Sequence, residues 1–160
     1  MTENNNKSQI DEIYAQLSPR ANTLYQFVIR YYEYMNKYHD YDGTGYLISM
    51  VEIHLLTIIA DNPGITASEL SKKWGTTKGA ISQNIKKLEK KELIERRKKI
   101  DNAKVVHIYA TEKGEHLSTA HKSYDITDIV QTQHELLKSC TLEEIDTFYK
   151  VVQEYIKLFD

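Results

Sequence analysis

Apolar residues recur along this chain at three- and four-residue spacing, interrupted by short clusters of Pro, Gly, Asp and Asn, and the pattern predicts a mostly helical protein. From Gln9 to about Tyr38, Ile10, Ile13, Tyr14, Leu17, Leu24, Phe27, Val28, Tyr31, Tyr32 and Met35 keep a helical period across Pro19. One long helix, kinked at the proline, is expected there, behind a frayed polar start at residues 1–8. "DYDGTG" (40–45) reads as a loop, and Leu47–Ala60 as a compact apolar helix closed by "DNPG" (61–64). Thr66 and Glu69 have the spacing of a capping box and open a short helix at Ala67 that runs to about Trp74. Gly75 supplies a turn, and Thr76 or Thr77 caps the next helix, with Ile81, Ile85 and Leu88 on one face. "LIERRKK" and "VVHIYAT" are β-prone runs on either side of "IDNA", the signature of a hairpin. From Glu112 the helical period returns, with Leu117, Ile126, Ile129, Val130, Leu136 and Leu137 as candidate core residues. A second capping box, Thr141 with Glu144, opens a last helix striped by Ile145, Phe148, Tyr149, Val152, Ile156 and Phe159.

Two helices joined by a glycine turn and followed at once by a hairpin make a winged helix-turn-helix. The expected class is therefore mainly α with a small β-hairpin wing (α+β). A winged helix-turn-helix domain is expected at 47–111, with a helical dimerisation region at 1–46 and 112–160. A helix that enters the major groove must pack one face inward and offer the other to bases without large anions. With Ile81, Ile85 and Leu88 inward, Thr77, Lys78, Gly79, Ser82, Gln83, Lys86 and Lys87 project outward. Gln83 suits an adenine edge and Lys78 guanine O6 and N7. Thr76, Lys86 and Lys87 suit phosphate, and Arg96, Arg97, Lys98 and Lys99 extend the cationic surface along the hairpin. Any solvated amphipathic helix can be lysine-rich; here the capped helix before Gly75, the charge segregation and the basic hairpin coincide, and together they point to double-stranded DNA.

Overall charge changes little in this picture, being -2, but its distribution does: Lys72 to Lys104 holds 12 Lys/Arg against 4 Asp/Glu, leaving 9 against 19 elsewhere. Such segregation marks a surface for a polyanion and argues against a winged helix used only for protein contacts. Cys140 is the single cysteine, so neither an intramolecular disulfide nor a C-x-x-C site is available, and a reducing, cytoplasmic setting is expected. "MTENNNKSQIDE" lacks the basic and apolar regions of a secretory signal, and no apolar run has membrane-spanning length, so a soluble protein without a membrane partner is expected. With no nucleophile motif, Gly-rich phosphate loop or H-E-x-x-H, an enzyme is not expected.

"NPGITASELSKKWGTTKGAISQNIKKLEKKELIERRKKIDNAKVVHIYATEKG", Asn62 to Gly114, resembles the MarR family of bacterial transcription regulators, and the flanking helices match that family's architecture. The resemblance implies a homodimeric repressor built from the first and last two helices, a pseudo-palindromic operator, and a small-molecule effector that binds between the dimer helices and the winged domain and releases the DNA. Departures occur at the wing tip, where Asn102, Ala103 and Lys104 stand in place of the family's Asp-Arg-Arg, so the arginine for the minor groove is missing and Lys104 lacks its planar fork. Lys91-Glu92 replaces a Lys-Gly, and Ala110-Thr111 a Leu-Thr. Of the 12 tyrosines, Tyr25, Tyr31, Tyr32, Tyr34 and Tyr38 crowd the first helix, most of them as packing surface. Tyr31, Tyr34, His54 and His121 are the candidates for an effector pocket. No cofactor is expected; the alternative is the zinc-responsive branch, with His54, His121 and Asp125 as ligands and His39, Glu33 or Asp42 completing the set. A structural, hydrogen-bonded His121 is the favoured reading over a metal ligand.

Overall fold

The computed structural model describes residues 2–99 and 102–159. Helix α1, Thr2–Asn36, carries Pro19 inside it. It starts at Thr2 and not near Gln9, so the polar N-terminal stretch continues the helix; no Gly or Pro precedes Pro19 to break it. The 40–45 segment, expected as a plain loop, is the tip of a small hairpin. Strands β1 (Tyr38–Asp40) and β2 (Leu47–Ser49) pair antiparallel, with His39 opposite Ile48, around a 3₁₀ turn at Tyr41–Gly43. Asp40 Oδ1 closes the turn by accepting the Gly45 N–H at 3.0 Å.

Helix α2, Met50–Asp61, begins later than the apolar run because Ser49 and Glu52 form a capping box: Ser49 Oγ accepts the Glu52 N–H at 3.3 Å and the Glu52 carboxylate accepts the Ser49 N–H at 3.2 Å. The S-x-x-E spacing that announces it is in the sequence. Helix α3, Ala67–Trp74, opens on the Thr66–Glu69 box and closes on Gly75 at φ +66°, where a side chain would be strained. Helix α4 spans Lys78–Lys90. After a turn at Lys91–Leu93, β3 (Ile94–Lys99) pairs antiparallel with β4 (Asn102–Ala110), with Arg97 opposite His107. Helices α5, Glu112–Leu136, and α6, Leu142–Lys157, complete the described chain.

One core holds the middle of the molecule. Ile53, Leu55, Leu56 and Ile59 of α2 pack with Leu70 of α3, Ile81, Ile85 and Leu88 of α4, Ile94 and Ile108 of the hairpin, and Leu117 and Ala120 of α5; Tyr41 joins from the first hairpin. Helix α5 docks so closely that a Cβ on Gly114 would run into the Leu93 carbonyl. Of the six α5-region core candidates only Leu117 is buried: Ile126, Ile129, Val130, Leu136 and Leu137 are exposed. The distal part of α5 has left the winged core, and its apolar face has no cover among the described residues. Ile145 is the buried member of the α6 stripe, whereas Phe148, Tyr149, Ile156 and Phe159 are exposed, as are Ile10, Leu17, Val28 and Tyr32 of α1. The Phe27 and Phe148 rings meet edge to face at 5.9 Å, joining α1 to α6.

Candidate nucleic-acid interface and effector cleft

On α4 the buried Ile81, Ile85 and Leu88 force the opposite face outward: Gly79, Ser82, Gln83, Lys86 and Lys90 are all exposed, and none is an anion. Lys90 sits one turn beyond Lys86 on that face, and the helical period alone would have identified it. The Thr77 hydroxyl caps the helix, accepting the Ala80 N–H at 3.3 Å, so it is already engaged. The Ser71 hydroxyl donates to the Thr76 carbonyl and fixes the turn that orients α4. Lys78 is exposed at the N-terminus of α4.

Other predicted cations are committed within the chain. Lys87 Nζ lies 3.7 Å from Glu52 Oε1, with its side chain still 56% exposed. Arg96 pairs with Glu89 at 2.7 Å; Arg97 pairs with Glu95 and covers the Tyr109 ring, 4.7 Å from its centroid. Both arginines must exchange a carboxylate for phosphate if they are to hold DNA. Lys98 is exposed. The side chains of Lys99, Asn102 and Lys104 lie outside the described residues, so the wing-tip expectation lies there too.

Glu52 anchors the far end of α4. Its side chain is 1% exposed, and Lys91 Nζ donates to its Oε2 at 2.8 Å and to the Leu47 carbonyl at 3.0 Å. Burial pushes the carboxyl up, but Lys91, the Ser49 N–H and Lys87 outweigh it and hold Glu52 below the ordinary glutamate range.

Between α1, α2, α5 and α6 lies a cleft of about 640 Å³, lined by Tyr31, Tyr34, Met50, His54, Asp125, Asp128, Ile129 and Tyr149 among others. Three of the four predicted effector-pocket residues line it; the fourth, His121, does not, and is buried behind His54 and Asp125. One ligand atom each from His54, His121 and Asp125 come within 4.8 Å of one another. His121 is 1% exposed, and neither ring nitrogen has a hydrogen-bond partner. Nε2 is 3.2 Å from Asp125 Oδ2 but not in bonding alignment, which overturns the expected hydrogen-bonded His121. Burial, with the nearby His54 and Lys122 charges, lowers its pKa to about 4, so the imidazole is neutral at pH 7. Burial likewise raises Asp125. Tyr34 is pushed up to about 12 by burial and the Asp128 charge. Neither Glu33 nor His39 joins the group among the described residues; His39 stands further along, its ring 6.0 Å from Tyr41. The Asp42 side chain lies outside the described residues.

A ring contact leads from this cleft to the helix-turn-helix. The His54 ring lies 4.7 Å from that of His121 and stacks on Trp74 at 5.9 Å. Trp74 is the last residue of α3, directly before the Gly75 turn.

Residues 48–106 match the model of the MarR family. A stretch of 82 residues is 33% identical to an uncharacterized HTH-type transcriptional regulator, YhjH, of Bacillus subtilis (strain 168), covering 51% of this chain and about half, 47%, of that protein. Among solved structures, Streptococcus pneumoniae FabT in complex with DNA is similar at a TM-score of 0.60 and 23% identity, over 91% of this chain and 96% of that one. ZitR of Lactococcus lactis, a zinc-responsive MarR family member, is similar at 0.64 and 20% identity, over 90% and 99%. At these identities the structural matches speak for the fold. Residues 48–106 thus match the MarR family model, and the chain as a whole shares the fold of FabT and ZitR.

Proposed function

We propose that this protein is a dimeric, sequence-specific DNA-binding regulator of transcription, with α4 entering the major groove and a small effector occupying the cleft beside it. The observation that carries this reading is the outer face of α4: Gly79, Ser82, Gln83, Lys86 and Lys90, small, amide or cationic, opposite a buried aliphatic stripe, with the helix's one carboxylate, Glu89, held by Arg96 at 2.7 Å. Gln83 and Lys78 are the base-reading candidates, and Lys86 and Lys90 the phosphate contacts. FabT's complex with DNA, on the same fold, supports it. The exposed apolar stripes of α1, α5 and α6 favour pairing with a second copy, which would set two recognition helices roughly 34–36 Å apart on a pseudo-palindrome. His54 stacked on Trp74 offers a route by which an occupant of the cleft would shift the Gly75 turn and so α4.

A mobility-shift titration against the protein's own promoter region, at graded salt, tests the reading. Specific DNA should outcompete random DNA, and log affinity should fall linearly with log salt. Lys86→Ala should weaken binding to all sequences and lower the salt slope by about 1, whereas Gln83→Ala should relax preference at one base pair. Equal competition by random DNA would sink the proposal.

A second reading concerns the effector. His54, His121 and Asp125 supply three convergent donors, and the orphaned nitrogens of buried His121 fit a zinc ion, an effector class supported by the zinc-responsive relative. Zinc would hold the three side chains together and, through His54, bear on Trp74. Titration of the metal-free protein against a competing chelator checks this: weak binding, unchanged by His121→Ala, ends it.

A further inference from the structure

The residues around the cleft differ in sign from the rest of the functional surface. Asp125, Asp128 and Asp146 line it, and no Lys or Arg does. Among the described residues none of the three is paired with a lysine or arginine. Asp125 and Asp128 are half-buried, where an uncompensated carboxylate costs more than in open water. Beside them Tyr31, Tyr34 and Tyr149 present aromatic faces, and Met50, Ile129 and Ile145 an apolar floor. Behind Asp125, buried His121 has two unpartnered nitrogens, Nε2 lying 3.2 Å from Asp125 Oδ2.

From this arrangement we infer that the cleft takes a small organic cation, a protonated primary amine with an aromatic or aliphatic tail. The inference rests on the reading of the cleft as the effector site and names the ligand's chemistry. The ammonium sits between Asp125 and Asp128, on the side where the unpartnered His121 nitrogens lie behind Asp125, and the tyrosine faces hold the cation and the adjoining carbons. A cleft of about 640 Å³ has the size of a small-molecule site. An anionic carboxylate or phenolate finds no counter-charge here and meets three like charges, and a neutral aromatic leaves those carboxylates unmatched.

Calorimetric titration of the full chain, with chelator present, compares 2-phenylethylamine with 2-phenylethanol and phenylacetate, three ligands of similar shape that differ in charge. The amine should bind at least ten-fold more tightly than the alcohol, and the acid should show no saturable heat. Asp128→Asn, which removes no ion pair, should weaken the amine at least five-fold and leave the alcohol unchanged, with circular dichroism confirming the fold. Trp74 is the only tryptophan and stacks on His54, so its fluorescence should change in step with the calorimetric isotherm. Equal binding of alcohol and amine, binding of the acid, no amine binding at millimolar concentration, or an Asp128→Asn variant indistinguishable from the parent would each overturn the inference. Zinc is the other cation that would satisfy these charges: saturable zinc binding in a chelator-free arm with no amine binding assigns the cleft to metal and overturns it too. An amine that binds by calorimetry yet leaves operator DNA bound would instead break the regulatory reading and leave the site intact.

Discussion

The winged core and the helical arms carry the same three-and-four apolar period, yet bury it differently. In the core, Leu56, Leu70, Ile81 and Leu88 are 0% exposed, each covered by another element of this chain. In the arms, Ile10, Leu17, Ile126 and Ile156 stand at 59%, 64%, 68% and 57% exposure. Periodicity thus says that a face will be covered and is silent about what covers it. The core is self-sufficient, while the arms present several apolar helix faces of a kind that soluble proteins usually keep for a partner.

Substitutions can separate the two halves of this contrast. The largest effect belongs to the core: Leu56→Ala should cost about 2–5 kcal/mol in urea unfolding, through lost burial and the cavity left behind. Next comes the junction between α2 and α4. Glu52→Gln removes the charge that Lys91 and Lys87 face and should cost about 1–3 kcal/mol. The same residue makes a pH prediction. Because the folded carboxyl is held below its ordinary value, its contribution is complete above about pH 4.5 and is lost as pH falls through the lowered value. The parent's urea midpoint should therefore drop on acidification in that window, and the Glu52→Gln profile should be flatter there.

Glu92 gives a smaller effect of opposite sign. It stands at φ +58° in the turn after α4, a conformation glycine adopts without strain, so Glu92→Gly should stabilise the core by about 1 kcal/mol, measured as a raised urea midpoint. Its exposed ion pair with Lys113, at 2.7 Å, offsets little of that. At the bottom of the range, Ile126→Ser on the distal face of α5 should change unfolding of the isolated chain by no more than about 0.5 kcal/mol. If the arms pair, the same variant should shift sedimentation towards the monomer; an unchanged association state would return that face to solvent.

Much of the winged domain was legible because its signals are local. The Thr66–Glu69 and Thr141–Glu144 boxes, the Gly75 turn and the Ile81–Ile85–Leu88 stripe each involve residues within about two helical turns of one another, where hydrogen-bond geometry and helical period act directly. The first hairpin was missed: three residues per strand are too few for an alternation to stand out, and its partner is supplied by pairing across the 41–46 turn. Lys87 and Arg96 read as free cations because no linear pattern reveals that Glu52 and Glu89 come to meet them, whereas Glu95 stands two residues from Arg97 on one strand face and could have been read.

Residue order alone therefore settled that these segments are helices, how α3 and α6 open, and which face of α4 turns inward, since these depend on neighbours along one helix; it misplaced the starts of α1 and α2, which lie at Thr2 and Met50. Only the packed chain decided that His54, His121 and Asp125 meet, that three aspartates share a cleft with three tyrosines, and that His54 leans on Trp74. Apart from His121 and Asp125, one turn apart on α5, those contacts join residues on different helices. Their distances depend on how α1, α2, α5 and α6 cross, and no local spacing encodes a crossing angle.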